Sequence, residues 1–123
     1  MDRVIICDDD VQSCRFLKIA FQNHQFEVEM VHTAQDCFAA CRASSPHLLV
    51  TDLHLPDMDG SEMIQQLRQA QPALPIIAIS GDSDEVLQAA WLNGANWVMR
   101  KPIVPGMLLE TARHLITSRA PPA

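Results

Sequence analysis

Short apolar runs recur along the chain and are separated by longer amphipathic segments. Most of these runs are rich in Val, Ile and Leu, as buried strands are when both faces of a sheet are covered. The run at 27–31 instead alternates apolar with charged residues, which is typical of an outer strand. The pattern therefore predicts strands at 4–7, 27–31, 48–51, 76–79 and 97–99.

The segments between these runs carry apolar residues at helical spacing. The predicted helices run from Val11 to about His24, from Thr33 through Ala43, from Ser61 through Leu67, from Asp82 or Ser83 through Trp91, and from Pro105 through Ile116. Thr33 is the predicted N-cap of the second helix, and Asp82 or Ser83 that of the fourth, which stops at Asn93-Gly94. Pro105 fits the first turn of the fifth helix. A β-α unit thus repeats about five times. This order predicts an α/β fold, doubly wound, with a parallel sheet, helices on both faces and right-handed crossovers.

The composition fits one domain with its own core. The chain has 123 residues, of which 48% are hydrophobic and 20% charged. A net charge of -6 argues against direct binding to nucleic acid, because such binding depends on Lys and Arg. The first apolar run is too short for a signal sequence or a membrane span, so we expect a cytoplasmic protein without membrane contact. We expect a domain over 1–118, with 119–123 as a tail or the start of a linker.

Four cysteines lie in the first half of the chain. Disulfides are not expected in a cytoplasmic chain of this hydrophobicity. Cys37 and Cys41 share a helical face, but the sequence has no second Cys or His pair spaced to complete a metal site with them. We therefore predict that Cys7, Cys14, Cys37 and Cys41 are small apolar packing residues.

Polar side chains follow the predicted strands at the points where the strands end. These residues are Asp8, Asp9, Asp52, Ser80 and Lys101. The carboxyl ends of parallel strands meet at one edge of a sheet, where doubly wound proteins bind their ligands. Carboxylates that lie close together repel one another, and a hard divalent cation relieves the repulsion. Oxygen ligands favour Mg²⁺, with Mn²⁺ as the alternative.

The same residues suit phosphoryl chemistry, which needs mostly positioning and charge neutralisation. Mg²⁺ commonly bridges carboxylates and phosphate groups. Asp52 is the carboxylate that could act as nucleophile. Lys101 can hold a phosphoryl oxygen or pair with a carboxylate, and Ser80 can donate a hydrogen bond to a phosphoryl oxygen.

Some nearby polar residues have a structural interpretation. Asp10 is suited to the N-terminus of the first helix. Asp57 and Asp59 are predicted to be turn residues leading to Gly60. The scattered histidines are assigned to the surface or to packing, and the side chain of His54 to the rim of the site. Trp91 and Trp97 are assigned to packing or to a partner surface.

Four segments resemble the receiver domains of two-component response regulators. They are Val-Ile-Ile-Cys-Asp-Asp-Asp (4–10), Leu-Val-Thr-Asp-Leu-His-Leu-Pro-Asp-Met-Asp-Gly (49–60), Ile-Ile-Ala-Ile-Ser-Gly (76–81) and Gly-Ala-Asn-Trp-Val-Met-Arg-Lys-Pro (94–102). The resemblance covers nearly the whole chain, and the second and fourth segments are the most specific. It implies a flavodoxin-like sheet of five parallel strands in the order 2-1-3-4-5.

The resemblance also implies a role for each site residue. Asp8 and Asp9 would be the acidic pair, with Asp9 the more direct magnesium ligand and Asp8 acting largely through water. Asp52 would be the phosphoacceptor and a further metal ligand, and the backbone carbonyl of His54 would complete the metal site. Ser80 would be the switch hydroxyl and Lys101 the characteristic lysine. The bond from Lys101 to Pro102 would be cis.

The partners implied by the resemblance belong to a phosphorelay. The phosphoryl donor would be a histidine kinase or a histidine phosphotransfer protein. On phosphorylation, the switched surface would bind a downstream effector or output domain, or a second copy of the chain in a homodimer. The domain would catalyse its own phosphorylation and dephosphorylation, without being an enzyme in the ordinary sense.

One position departs from the pattern of the family. Receiver domains usually carry Tyr or Phe three residues before the lysine. The rotamer of this aromatic side chain follows the position of the switch hydroxyl. This chain has Val98 there, with Trp97 one residue earlier. Side chains alternate along a strand, so we expect Trp97 to point to the opposite face. Switching would then depend on the loop after Ser80.

Two other functions compete with this one. A magnesium-dependent phosphatase could pass through an aspartyl-phosphate, but such enzymes commonly need an acid two residues after the nucleophile, where this chain has His54. An interaction module could keep the fold and lose phosphorylation, which the complete acidic set argues against. Turnover of a phosphomonoester would favour the phosphatase. Failure of Asp52 to react with acetyl phosphate in Mg²⁺ would favour the interaction module.

Overall fold

A computed structural model describes residues 1–118, in which five strands alternate with five helices. The strands are β1 (Arg3–Cys7), β2 (Glu27–Val31), β3 (Leu48–Asp52), β4 (Ile76–Ser80) and β5 (Trp97–Arg100). The helices are α1 (Val11–Gln22), α2 (Ala34–Ser44), α3 (Gly60–Ala70), α4 (Asp84–Leu92) and α5 (Pro105–Thr117). The tail or linker predicted at 119–123 lies outside the described residues.

The five strands form one parallel sheet in the order β2-β1-β3-β4-β5, which confirms the predicted fold. The register pairs Cys7 of β1 with Thr51 of β3. The next residues, Asp8 and Asp52, therefore lie side by side at the ends of neighbouring strands. On the other side of β3, Asp52 pairs with Ile79, one residue before Ser80. The topology therefore brings the predicted site residues to one edge of the sheet.

Each face of the sheet buries its own core. One core lies under α2, α3 and α4 and includes Ile5, Leu49 and Met63. The other lies under α1 and α5 and includes Ile6 and Phe21. The central strands supply both cores alternately, which explains why their sequences are continuously apolar.

The four cysteines are buried and free, as predicted, and each belongs to one of these two cores. The pKa of the Cys14 thiol is raised to about 12, chiefly because burial disfavours the thiolate. A thiol held in its protonated form packs as a small apolar group.

Local signals explain the helix ends, with two corrections to the predicted boundaries. Helix α3 begins at Gly60 rather than at Ser61, because the Asp59 side chain is the N-cap and accepts the Ser61 N–H at 2.9 Å. Helix α1 ends at Gln22 rather than near His24, since a turn with Gln25 at a φ of 67° redirects the chain into β2. The other predicted caps include Thr33, whose hydroxyl accepts the Asp36 N–H at 3.1 Å.

From Val98 onward, successive side chains of β5 point to opposite faces of the sheet. Val98 packs against the core under α4, and Met99 packs against the core under α5. Trp97 is 46% exposed, and its ring meets that of Trp91 edge-to-face with 6.1 Å between centroids. The two indoles thus form an exposed aromatic pair on α4 and the outer strand of the sheet.

Over residues 1–118, every helix is too short or too polar to cross a membrane.

Candidate functional site

Three carboxylates converge where β1 and β3 end. Asp8, Asp9 and Asp52 each present an oxygen, and these oxygens lie within 4.8 Å of one another. Asp8 and Asp52 are 2% and 7% exposed, whereas Asp9 is open to solvent. Several carboxylate oxygens at this spacing match the hard oxygen ligands that Mg²⁺ and Mn²⁺ prefer. The cluster could therefore hold a divalent ion, as the sequence predicted.

Backbone amides orient the two buried carboxylates. The His54 N–H donates to Asp52 Oδ1 at 3.1 Å, and the Asp10 N–H donates to Asp8 Oδ1 at 2.9 Å. Each carboxylate keeps its Oδ2 for other partners. The loops after β1 and β3 thus fix their acidic side chains by folding back on them.

Lys101 faces the cluster from the end of β5. Its Nζ lies 2.9 Å from Asp52 Oδ2 and 3.3 Å from Asp8 Oδ2. Burial disfavours the ammonium, but the hydrogen bond and charge of Asp52, aided by Asp8, raise the pKa of Lys101 above its ordinary value. The side chain therefore stays cationic between two carboxylates. The bond from Lys101 to Pro102 is cis, as expected.

Asp8 is held at some electrostatic cost. Burial raises the pKa of its carboxyl group, and the nearby charge of Asp52 adds to the rise. The Asp10 N–H and Lys101 oppose the shift without cancelling it. A cation placed between these carboxylates would remove much of that cost.

Ser80 is fully buried as the last residue of β4. Its Oγ accepts the Asp82 N–H at 3.0 Å, and its carbonyl accepts the Lys101 N–H at 2.9 Å. The hydroxyl keeps its own proton for donation. Ser80 thus lies beside the strand end that carries Lys101, where the sequence predicted it.

His54 and Asp82 meet across the gap between the loops after β3 and β4. The His54 Nε2 contacts a carboxylate oxygen of Asp82, and both side chains are largely exposed. The rim position expected for His54 agrees with this contact. The sequence predicts Asp82 only as a candidate cap of α4, but Ser83 is the N-cap. Asp82 could have been noticed because it lies two residues after the hydroxyl, as His54 does after Asp52.

Asp57 makes a contact that its prediction as a turn residue did not include. Its Oδ1 accepts the Ala34 N–H at 2.8 Å, and its Oδ2 accepts the Gln35 N–H at 3.0 Å. The loop that follows Asp52 is therefore fastened to the first turn of α2. The sequence carries no signal for this contact, because the two segments are distant along the chain.

A cavity of about 630 Å³ opens beside the acidic cluster, between α1 and the loop after β5. Asp8 and Lys101 border it on the cluster side, and Phe16, Pro102 and Ile103 supply much of its apolar lining. Phe16 is 51% exposed, so this wall of the cavity faces solvent. The acidic cluster can therefore be approached along a partly apolar surface.

Comparison with protein families matches residues 4–113 to the response regulator receiver domain. Among curated proteins, the chain is 34% identical to the KDP operon transcriptional regulatory protein KdpE of Escherichia coli, over 99% of this chain and 56% of that protein. It is 28% identical to the sensory/regulatory protein RpfC of Xanthomonas campestris, over 94% of this chain and 17% of that protein. The chain thus spans about half or less of the curated relatives cited here.

Solved structures give the same result. A CheY-like response regulator receiver domain from Methanospirillum hungatei superposes with a TM-score of 0.91 at 28% identity, covering 97% of this chain and 96% of that one. The chemotaxis response regulator CheY4 of Vibrio cholerae gives a TM-score of 0.85 at 25% identity, covering 94% and 98%. Family, fold and strand order agree, and the chain belongs to the receiver domains of two-component response regulators.

Proposed function

We propose that Asp52 accepts a phosphoryl group in a reaction that depends on Mg²⁺ bound at Asp8, Asp9, Asp52 and the backbone carbonyl of His54. The observation that carries the proposal is the convergence of three carboxylates within 4.8 Å. A cationic Nζ lies 2.9 Å from Asp52, across from the acidic pair. Family membership supports the same chemistry, since receiver domains typically use Mg²⁺.

The chemical step is an in-line transfer. A carboxylate oxygen of Asp52 attacks the phosphorus of a phosphohistidine, a new P–O bond forms, and the P–N bond to the imidazole breaks. Bound Mg²⁺ would neutralise charge on the carboxylates and on the phosphoryl oxygens. The Lys101 ammonium shifts from the Asp52 carboxylate to a phosphoryl oxygen, and the Ser80 hydroxyl donates a hydrogen bond to another phosphoryl oxygen. Hydrolysis of the acyl phosphate resets the domain.

Phosphorylation places a charge of about -2 at the end of β3. The elements that would respond are the loop after Ser80, α4 and β5. The half-buried Val98 packs with this region in place of an aromatic side chain. The responding surface would bind an effector, an output domain or a second copy of the chain.

The partners follow from the chemistry. A histidine kinase or a histidine phosphotransfer protein would present its phosphohistidine along the cavity beside Asp8 and Lys101. We assign the receiver domain to 1–118 and place the protein in the cytoplasm, where such a relay operates. The net charge of -6 supports a domain that does not itself bind nucleic acid. Apart from its own phosphorylation and dephosphorylation, we assign the domain no catalytic turnover.

Intact-mass measurement after incubation with acetyl phosphate tests this proposal. We expect one phosphoryl adduct on the wild-type protein in Mg²⁺ and none after Mg²⁺ is chelated. The Asp52→Asn variant keeps the size of the side chain and should gain no mass. An unmodified wild-type protein, or an adduct that persists in the variant, would refute the assignment of Asp52. A phosphomonoester offered in parallel should not be turned over.

A further inference from the structure

His32 follows β2 directly and lies half-buried at the corner that leads into α2. Its ring Nδ1 is 2.9 Å from the backbone carbonyl oxygen of Asp8. A carbonyl oxygen can only accept a hydrogen bond, so Nδ1 must carry the proton. The geometry therefore assigns one tautomer to the neutral ring, with hydrogen on Nδ1.

The same carbonyl oxygen has a second donor. The Cys14 Sγ on α1 lies 3.4 Å from the Asp8 oxygen and 3.9 Å from the His32 Nδ1. Because Nδ1–H is already directed at the carbonyl, the thiol also donates to that oxygen, and the two donors occupy its two lone pairs. The Asp8 N–H in turn donates to the Val31 carbonyl at 3.1 Å. The peptide groups on both sides of Asp8 are thus held by neighbouring elements.

The hydrogen bonds to the Asp8 carbonyl affect both acidic residues, because that carbonyl lies in the backbone between them. The Asp8 carbonyl belongs to the planar peptide unit that joins Asp8 to Asp9. Fixing the direction of the carbonyl fixes the plane, and the plane sets where the Asp9 Cα lies, from which the Asp9 side chain extends. Asp9 is open to solvent, so its carboxylate depends on its backbone for its direction.

We propose that His32 is a positioning residue for the divalent-ion site. Through Nδ1 it orients the peptide between Asp8 and Asp9, so that both carboxylates face Asp52. The inference rests on the proposed function of the acidic cluster and adds a residue that touches neither ion nor substrate. Groups outside the direct ligands commonly tune metal sites in this way.

The position of His32 at the β2–α2 corner strengthens the argument. The corner also supplies the Ala34 and Gln35 N–H groups that hold Asp57. Asp57 lies in the loop that follows Asp52, and His32 contacts the loop that follows β1. One corner of the fold therefore braces both loops that carry the acidic cluster.

Two substitutions separate positioning from packing. His32→Phe keeps a ring but removes the donor, whereas His32→Asn places an amide N–H near the position of Nδ1. We expect Mg²⁺ binding to weaken about threefold to tenfold in His32→Phe and to return close to the wild-type value in His32→Asn. Isothermal titration calorimetry with Mg²⁺ alone gives these affinities, and urea unfolding reports stability separately. His24→Phe, an exposed histidine changed in the same way, is the control.

Nuclear magnetic resonance of the Mg²⁺-free wild-type protein gives a readout that does not depend on the variants. In the neutral imidazole of His32, hydrogen should lie on Nδ1, and the Asp9 amide resonance should shift in His32→Phe more than in His32→Asn. Hydrogen on Nε2, or equal Mg²⁺ affinity in wild type and His32→Phe, would overturn the inference while leaving the acceptor role of Asp52 intact. A wild-type protein that binds no Mg²⁺ would instead refute both proposals.

Discussion

The Asp57 carboxylate accepts a hydrogen bond from the Ala34 N–H at 2.8 Å, so a loop beside the acidic cluster caps a helix 23 residues earlier in the chain. A helix N-terminus favours a negative charge, because its first N–H groups are unsatisfied and its dipole is positive there. Asp57 supplies that charge from outside the helix. The contact joins the loop that follows Asp52 to α2 and makes the stability of this region depend on pH.

We predict that Asp57 contributes stability only while it is ionised. The Ala34 and Gln35 N–H groups lower the pKa of the Asp57 carboxyl below its ordinary value of 3.8. Its contribution is therefore complete above that value and disappears as the pH falls through the lower folded pKa. Urea unfolding of wild type and Asp57→Asn between about pH 7 and about pH 3 should show a difference that narrows in acid.

Glu110→Gln, on the exposed side of α5, is the control for the loss of one surface charge. It should leave the unfolding free energy nearly unchanged at each pH. A wild-type advantage over Asp57→Asn that stays constant into strong acid would show that the Asp57 charge does not cap α2.

We predict that Gly60 tolerates no side chain. A Cβ built there would lie 2.5 Å from the Leu53 Cα and 2.8 Å from the Leu53 carbonyl oxygen. Both are backbone atoms in the loop after Asp52, so Gly60→Ala should destabilise the fold by about 3 kcal/mol. At Gly106, in α5, a Cβ meets nothing within 4 Å. Gly106→Ala should raise the free energy of unfolding by about 0.5 kcal/mol, because alanine favours a helix interior over glycine. Equal unfolding midpoints for the two variants in urea would contradict the close approach.

We predict that Arg68 stabilises the end of the sheet opposite the acidic cluster. Its guanidinium donates to backbone carbonyls that include those of Gly94, at 2.7 Å, and Leu74, also at 2.7 Å. Arg68→Ala should lower the free energy of unfolding by about 2 kcal/mol, because these partly buried acceptors lose a charged donor. Arg68→Lys should recover only part of the loss, since an ammonium lacks the fork geometry of a guanidinium.

The same variants should leave Mg²⁺ affinity unchanged. The Leu74 and Gly94 carbonyls precede β4 and β5, whereas the acidic cluster lies beyond the opposite ends of the strands. Calorimetric titration of Mg²⁺ into Arg68→Lys checks this separation. A weakened site in a variant that is still fully folded would mean that the two ends of the sheet are coupled.

We predict that the indoles of Trp91 and Trp97 report the state of the site. They are the chain's two tryptophans, and their ring centroids lie 6.1 Å apart. The pair connects α4 to β5, the elements proposed to respond to phosphorylation. Mg²⁺ with beryllofluoride, a phosphoryl analogue, should therefore change tryptophan emission in wild type. Asp52→Asn should show no change. An unchanged wild-type signal, with binding of the analogue confirmed by calorimetry, would mean that this surface does not move.

The fold and the acidic cluster could be predicted because their signals are local. Each buried strand is a continuous apolar run, Asp8 and Asp52 come at the ends of such runs, and Asp9 follows Asp8. Parallel pairing then requires the strand ends to meet at one edge. The assignment of roles to these residues came from the resemblance to receiver domains, and the individual roles remain predictions.

The missed contacts have no such local signal. The sequence predicts only a turn residue at Asp57, because its partner Ala34 is 23 residues away in the chain. His32 was assigned to the surface or to packing because nothing near it in the sequence shows that it lies 2.9 Å from the Asp8 carbonyl. The start of α3 was wrong by one residue because Asp59, Gly60 and Ser61 can all begin a helix, and only the cap geometry distinguishes them.

The central claim is that Asp8, Asp9 and Asp52 gather around one divalent ion opposite Lys101. Anomalous diffraction from crystals soaked in Mn²⁺ tests it most directly, because the peak locates the ion among named side chains. The account predicts one strong peak within coordinating distance of Asp9 and Asp52, which weakens when Mg²⁺ is added in excess. A strong peak elsewhere on the protein, or no peak at the acidic cluster at saturating Mn²⁺, would contradict it.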